Sequence, residues 1–193
     1  DYSFRRFQIS VGDDTGVHWH TTYDAYRERP LSDLERRIMP DARIFREGEH
    51  PFPVPMVREW RTMYVETGRW LEHLLRDIRI AGASIERRSF GSPAEVDALP
   101  ESLVFNCTGL GARDLFGDAD LVPIRGQLAI LLPQPEIRHA YTGPVGYMFP
   151  RPDGILLGGT YERGEWDPAP QPEDIAGIVA AHATFNRDLA CTT

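Results

Sequence analysis

The sequence contains no lysine, because all 21 of its basic residues are arginines. This absence excludes chemistry that needs a lysine amine, either as a Schiff-base nucleophile or as a general base. Cysteine is also scarce: only Cys107 and Cys191 occur, and they form no C-x-x-C pair. Two cysteines in a chain of this size do not make a disulfide scaffold, and we therefore expect a reducing, cytoplasmic location.

Long apolar runs and an excess of positive charge are absent as well. No stretch approaches the roughly 20 apolar residues that cross a membrane, so we expect no membrane partner. The net charge of −8 argues against a nucleic-acid partner, because proteins that bind a phosphate backbone usually present a basic face. His18 and His20 could share one face of a surface strand, but no cysteine pair or second carboxylate frames them, and we predict no metal site.

The 193 residues suit one domain, or one large and one partial domain. Residues 2–8 are typical of a helix end, and the aromatic and β-branched residues 17–23 predict a strand. In the middle, residues 61–65 predict a strand and Thr67 a helix N-cap, with Gly82 closing the helix in a left-handed conformation. Strands predicted at 83–90 and 103–108 complete an α/β pattern.

After residue 108 the pattern of alternating strands and helices gives way to strands separated by turns. Residues 124–132, 147–149 and 155–161 predict strands that alternate with turns rich in proline and glycine, which indicates an antiparallel sheet. Pro172 is a good first residue for a last helix that we predict to run through Leu189.

The first motif of chemical interest is NCTGLGA, residues 106–112. A strand that ends in Thr108-Gly109 would place backbone N–H groups and a hydroxyl at the carboxyl edge of a sheet, where α/β proteins bind nucleotides. Glycine would let the backbone approach a ligand closely. The alternative is a structural turn between strand and helix, with Cys107 filling the core.

The second motif places Gly126 inside a predicted strand, between Arg125 and Gln127. An interior glycine often marks a bulge or the close approach of a ligand. The alternative is a bulge beside a surface arginine.

The third motif is GYMFP followed by GILLGGT. Strand alternation puts Tyr147 and Phe149 on one face, where the Tyr147 hydroxyl could orient a substrate carboxylate. The alternative is a tyrosine buried in the core. Arg151 follows four residues after Tyr147; its guanidinium could hold a carboxylate, and the alternative, which we favour, is a surface arginine.

Together, in this order and spacing, the three motifs resemble the D-amino-acid oxidase family of the flavin-dependent DAO superfamily. The resemblance runs from the Tyr64 strand through FNCTGLGA, VPIRGQLAIL and YMFPRPDGILLGGTYERGEW to the last helix. It implies a mixed α/β (α+β) fold in which part of an FAD-binding domain is combined with an antiparallel-sheet substrate domain. On this interpretation residues 1–62 and 119–171 belong to the substrate domain, 63–118 to the FAD-binding domain, and 172–193 form the last helix.

The resemblance also implies roles for individual residues. Phe90 falls where such enzymes contact the adenine of FAD, and Thr108, with Cys107 and Gly109, matches the position that lies against the flavin nucleotide. The segment from Arg125 through Gly126 to Gln127 flanks the flavin pocket. Tyr147 matches the tyrosine that holds the substrate carboxylate.

The sequence departs from the family pattern in two places. The G-x-G-x-x-G turn that binds the FAD pyrophosphate is expected before residue 1, and the arginine that clamps the substrate carboxylate is expected after Thr193. Arg151 is a candidate replacement for that arginine. Tyr141 is a guess for a second tyrosine of the active site.

The resemblance therefore implies an FAD-dependent oxidoreductase that oxidises an amine or a D-amino-acid-like small molecule by hydride transfer to the flavin. The chain by itself is expected to be inactive, because both expected segments lie outside it. The alternative is a truncated, non-catalytic module that binds a ligand or a partner.

Overall fold

The computed structural model describes residues 2–25 and 31–187, which form one seven-stranded sheet, one two-stranded sheet and six helices. The strands are β1 (Val17–Asp24), β2 (Arg43–Arg46), β3 (Met56–Val65), β4 (Ile124–Arg125), β5 (Leu128–Leu131), β6 (His139–Gly143), β7 (Gly146–Arg151), β8 (Gly154–Gly158) and β9 (Glu162–Arg163). The helices are α1 (Tyr2–Ile9), α2 (Asp33–Ile38), α3 (Thr67–Ile80), α4 (Pro93–Asp97), α5 (Gly111–Phe116) and α6 (Pro172–Phe185). The mixed α/β fold class is confirmed.

The large sheet has the strand order β2-β3-β1-β6-β7-β8-β5, and β4 pairs with β9 in the small sheet. All neighbours are antiparallel except β1 and β6, which are parallel. The antiparallel arrangement predicted for the later strands holds for β5, β7 and β8. The parallel pairing begins at Thr21 opposite His139. Because β6 begins only there, residues 17–20 of β1 have β3 on one side and no β6 residue on the other. We call this interruption the sheet gap.

The two faces of the sheet differ in their packing. On the first face Tyr141, Met148, Leu157 and Ala129 lie in one cross-strand row and belong to the buried core. Helix α6 closes this face with Ile178 and Phe185, and the loop before β3 adds Phe52. The buried residues of α6 are Ile178, His182 and Phe185. On the second face the neighbouring row contains Tyr147, Gly158 and Leu128.

The strands predicted at 83–90 and 103–108 are wrong. Neither segment has a strand partner among the described residues, and a strand needs a neighbour for its N–H and C=O groups. Their apolar side chains remain exposed, for example Ile85 at 49% and Phe105 at 78%. Helix α3 forms as predicted, but none of its residues is buried, and its apolar side chains Leu71, Leu74, Leu75 and Ile78 are exposed.

Several boundaries also differ from the predictions. Thr67 is the first residue of α3 and not its N-cap, which is Glu66, whereas Gly82 does adopt the predicted left-handed conformation with φ of 91°. The strand predicted at 124–132 is divided into β4 and β5. The last helix ends at Phe185. Its predicted continuation to Leu189 extends beyond residue 187, where the described residues end, and Cys191 lies outside them.

The predicted boundary at residue 62 falls inside β3, and the large sheet takes strands from both 1–62 and 119–171. The division into domains stays a prediction. Within the described residues, no helix combines the length and the apolar character that a membrane span needs.

Candidate functional site

Three aromatic rings form a row on the second face of the sheet. The centroids of the Tyr147 and Phe149 rings are 5.2 Å apart, and the Phe149 ring lies 5.7 Å from the ring of Tyr64. The prediction that Tyr147 and Phe149 share a face is therefore confirmed. Tyr147 is half-buried and lies outside the core cluster, which argues against a core tyrosine.

The Tyr147 ring lies directly against the backbone of Gly158 on the neighbouring strand β8. A Cβ atom at residue 158 would come within 2.1 Å of two ring carbons of Tyr147. Gly146 is equally constrained, because its φ is 110° and a Cβ there would lie 1.8 Å from the Gly158 carbonyl oxygen. The glycines of GYMFP and LGGT thus allow the close approach of β7, with its Tyr147 ring, to the backbone at Gly158.

Hydrogen bonds connect the RGQ motif (residues 125–127) to the GGT motif (residues 158–160) beside Tyr147. The backbone N–H of Gln127 donates to the Thr160 hydroxyl at 2.9 Å, and the Thr160 N–H donates to the Gln127 carbonyl at 3.3 Å. A Cβ on Gly126 would lie 3.2 Å from the Thr160 carbonyl oxygen, and one on Gly159 would lie 2.4 Å from the Gln127 carbonyl oxygen. These contacts replace regular ladder pairing, which explains why the strand predicted at 124–132 is interrupted here.

Arg125 is held by an ion pair and is not the free surface arginine of the alternative interpretation. Its Nε donates to Glu162 Oε2 at 3.0 Å, a second nitrogen donates to the same oxygen, and Nη1 donates to the Asp167 carbonyl at 2.8 Å. The side chain of Arg125 is only 14% exposed. The hydrogen bond from the Thr160 hydroxyl makes the largest contribution to lowering the pKa of Glu162, and the hydrogen bond from Arg125 makes the next largest. The Gln127 amide is also engaged, since it donates to the Ala169 carbonyl at 3.3 Å.

Arg151 lies at the other end of the aromatic row. Its guanidinium is paired with Asp153, with Nε donating to Oδ1 at 2.7 Å. Burial raises the pKa of Tyr64, and the positive charge of Arg151 opposes this rise. Arg151 and Tyr64 line a cavity of about 630 Å³ that does not include Tyr147 among its walls.

The NCTG segment is exposed and forms a turn into α5. Thr108 donates from both its backbone N–H and its hydroxyl to the Asn106 side-chain oxygen, at 3.1 and 2.7 Å. Gly109 has a φ of 57°, a conformation that glycine adopts at little cost because it has no Cβ atom. Cys107 is a free, exposed thiol, so neither the predicted buried strand nor the alternative of a core cysteine holds.

Phe90 ends the extended segment before α4 and is half-buried. The Arg88 guanidinium carbon lies 5.0 Å from the centre of its ring, in a cation–π arrangement. The described residues therefore bring RGQ, LGGT and Tyr147 together. Whether Phe90 and the NCTG turn face the same site stays a prediction.

Tyr141, the guessed second tyrosine, lies in the core on the first face and is fully buried. Its hydroxyl lies 2.6 Å from His182 Nδ1, and Asn186 Nδ2 donates to it at 2.8 Å. His182 Nε2 lies 3.1 Å from the Gly158 carbonyl, which can only accept, so Nδ1 of the neutral ring accepts from Tyr141. Burial raises the pKa of Tyr141 to about 12. This network supports Gly158 from beneath, and the sequence pattern contains no signal for it.

His18 forms a contact with Glu66, with 3.0 Å between Nε2 and Oε1. At His18 the strand β1 has a neighbour only on the β3 side, because the pairing with β6 begins at Thr21. Among residues 2–25 and 31–187 no group of three or more His, Cys, Asp or Glu side chains could hold a metal ion.

Comparison with known proteins identifies the family. The family model described as FAD dependent oxidoreductase, DAO, matches residues 57–189, which is more than half of the chain. A D-amino-acid oxidase of Streptomyces coelicolor is 36% identical over 144 residues, covering 66% of this chain and 44% of the relative. A D-amino-acid oxidase of Schizosaccharomyces pombe is 30% identical over 189 residues, covering 91% and 54% respectively.

The human D-aspartate oxidase is 26% identical over 177 residues, covering 86% of this chain and 50% of that enzyme. The chain thus spans about half the length of the curated relatives it matches. The matched region includes all three motifs and the Tyr64 strand. The chain belongs to the DAO family of FAD-dependent oxidoreductases.

Proposed function

We propose that this chain provides the substrate-facing wall of an FAD-dependent oxidase that acts on a D-amino acid or a related small amine. The observation that carries the proposal is the Tyr147 ring, which lies against Gly158 on a sheet face that is not closed by the core helix α6. The D-amino-acid oxidases among the relatives support the substrate class.

The described residues fit one side of a flavin. A flavin ring is flat and largely apolar, and the second face of the sheet offers Tyr147 and Phe149 beside the exposed side chains of Leu128 and Ile130. When bound, FAD supplies the redox chemistry by accepting a hydride from the substrate. The protein's share is then to hold and orient the two reactants.

Individual residues are assigned to this task as follows. The Tyr147 hydroxyl donates to the substrate carboxylate. Phe90, Cys107, Thr108 and Gly109 contact the nucleotide part of FAD, and the exposed backbone of the NCTG turn is free for such an approach.

Arg125, Gly126 and Gln127 act on the flavin side by fixing the backbone, since the Arg125 and Gln127 side chains are already engaged by Glu162 and the Ala169 carbonyl. Arg151 is the second candidate, after Tyr147, for binding the substrate carboxylate, because Asp153 already holds its guanidinium.

The test uses the protein expressed from its complete gene. We expect a flavin absorbance band and oxygen consumption with D-alanine or D-aspartate. Tyr147→Phe removes one hydrogen bond to the substrate and should raise KM about tenfold, with the flavin band unchanged. Tyr161→Phe is the matched control, because Tyr161 is 72% exposed. A colourless protein, or one without activity on any D-amino acid, contradicts the proposed function; an unchanged KM in Tyr147→Phe contradicts the role of Tyr147 alone.

A further inference from the structure

We infer that the cavity at the sheet gap binds a small organic dianion, with one carboxylate held by Arg61 and the other by Arg138. The cavity has a volume of about 630 Å³, which is enough for a small metabolite. Tyr147 is not among its lining residues, although Arg151, the second candidate for the substrate carboxylate, is one of them. The inference does not rest on the redox function proposed above.

The charge of the cavity is opposite to that of the chain. Although the net charge of the protein is −8, three arginines line this cavity and Glu66 is its only carboxylate among the described residues. That carboxylate is already engaged, because it lies 3.0 Å from His18 Nε2 and 3.1 Å from Arg69 Nε. A local excess of positive charge is therefore left facing the cavity, and it favours an anion.

Two of the three arginines have no acidic partner in the part of the chain that the structure describes. Arg151 is paired with Asp153. The Arg61 guanidinium lies 5.9 Å from the centre of the Trp19 ring and has no carboxylate partner in that part of the chain. Arg138 is exposed and has no hydrogen bond, ion pair or ring contact with any residue in the ranges 2–25 and 31–187. A guanidinium binds a carboxylate through two parallel hydrogen bonds, so two such groups suit a ligand with two carboxylates.

The other walls favour an organic body over a simple inorganic anion. Trp19 contributes an aromatic surface, and the segments that close the gap contribute four proline rings, at positions 133, 135, 150 and 152. Proline fixes the backbone, so these walls lose little conformational freedom when a ligand binds.

His20 provides one further polar group. It lines the cavity, and its Nδ1 atom is buried without a hydrogen-bond partner among the described residues. A buried polar atom of this kind is usually satisfied in native proteins, and a carboxylate oxygen or a hydroxyl of the ligand would satisfy it.

The experiment is calorimetric titration of the 193-residue chain with succinate at low salt, with butyrate and inorganic phosphate as comparison ligands. We expect succinate to bind at least tenfold more tightly than either, because only succinate combines two carboxylates with an apolar body. The indole N–H signal of Trp19, assigned with Trp19→Phe, should shift on addition of succinate. Binding should weaken as the salt concentration rises.

The variants Arg138→Gln and Arg61→Gln should each weaken succinate binding at least tenfold. The matched control is Arg43→Gln, because Arg43 is an exposed arginine on β2 that does not line the cavity. Arg138 is exposed, so its removal should leave the urea midpoint unchanged and a loss of binding can be assigned to the site. Absence of binding by the unchanged chain, equal binding of phosphate and succinate, or unchanged binding by Arg138→Gln would each overturn the inference.

Discussion

The ring of Tyr64 on β3 lies 5.7 Å from the ring of Phe149 on β7, although β1 and β6 lie between these two strands in the sheet. The contact forms at the level of the sheet gap, where Tyr64 pairs with His18 and β6 has not yet begun. The two rings therefore connect the halves of the sheet where the backbone ladder does not.

We expect a double-mutant cycle with Tyr64→Leu and Phe149→Leu to give a coupling free energy of about 1 kcal/mol, as is usual for a pair of aromatic rings in contact. The measurement is urea unfolding of the four proteins. Combining Phe149→Leu with Tyr161→Leu provides the control, since no ring contact joins Tyr161 to Phe149 in the described residues. Additive effects of the Tyr64 and Phe149 changes would show that the ring contact does not stabilise the fold.

Gly158→Ala should lower the free energy of unfolding by about 2 kcal/mol, because the new methyl group would overlap the Tyr147 ring. Gly177→Ala is the matched control: residue 177 lies in α6, a methyl group there would meet no described atom within 4 Å, and the change should be stabilising by up to about 1 kcal/mol. In a Tyr147→Ala background the effect of Gly158→Ala should largely disappear. If it persists there, the ring is not what the methyl group meets.

Thr160→Val removes the hydroxyl that accepts from the Gln127 N–H and donates to Glu162 Oε1 at 2.5 Å. Because valine has the same shape, the expected loss of about 1 to 2 kcal/mol in unfolding free energy measures the hydrogen bonds alone. Thr160→Ser keeps the hydroxyl and should retain most of the stability. Equal losses in the two variants would assign the effect to packing of the methyl group instead.

One buried and two half-buried histidines should make the protein less stable in acid. Burial lowers the pKa of His182, His20 and His139 below 6.5, with charge repulsion from His18 and His20 adding to the effect at His20 and His139 respectively. The unfolded chain then binds more protons than the folded one, so stability is fully present above about pH 6.5 and is lost as pH falls through the lowered values.

The measurement is the urea midpoint at pH 7.5 and at pH 5.5. His182→Gln should be less stable than the unchanged protein at pH 7.5, because the Tyr141 and Gly158 contacts are weakened. It should nevertheless lose less stability on acidification, by at most about 1.4 kcal/mol per pH unit for the one proton removed. A pH dependence identical to that of the unchanged protein would show that His182 does not titrate with unfolding.

The sequence predicted the elements whose signals are local. The aromatic run at Val17, the left-handed Gly82 and the proline at the start of α6 all lie where the pattern placed them. Shared faces followed from strand alternation, which is why the prediction for Tyr147 and Phe149 is confirmed.

Predictions that depended on a distant partner failed. Phe105 sits in a segment with strong β propensity, but a strand also needs a neighbour, and none is present in the described residues. Arg125 could not be recognised as an ion-paired residue because Glu162 is far away in the sequence. The same holds for Arg61 and Arg138, which only the fold brings to one cavity.

The first strand of the described chain, β1, is the third of the seven strands in the large sheet, and its parallel neighbour β6 comes late in the sequence. Closing such a long loop costs chain entropy before the contacts between the two strands can form. We therefore expect the pairing of β1 with β6 to be the rate-limiting step of folding. During synthesis on the ribosome β1 can pair early with β3, but its other edge has no partner until residues 139–142 have emerged. Until then the unpaired edge of β1 presents free N–H and C=O groups, to which a strand of another chain can pair.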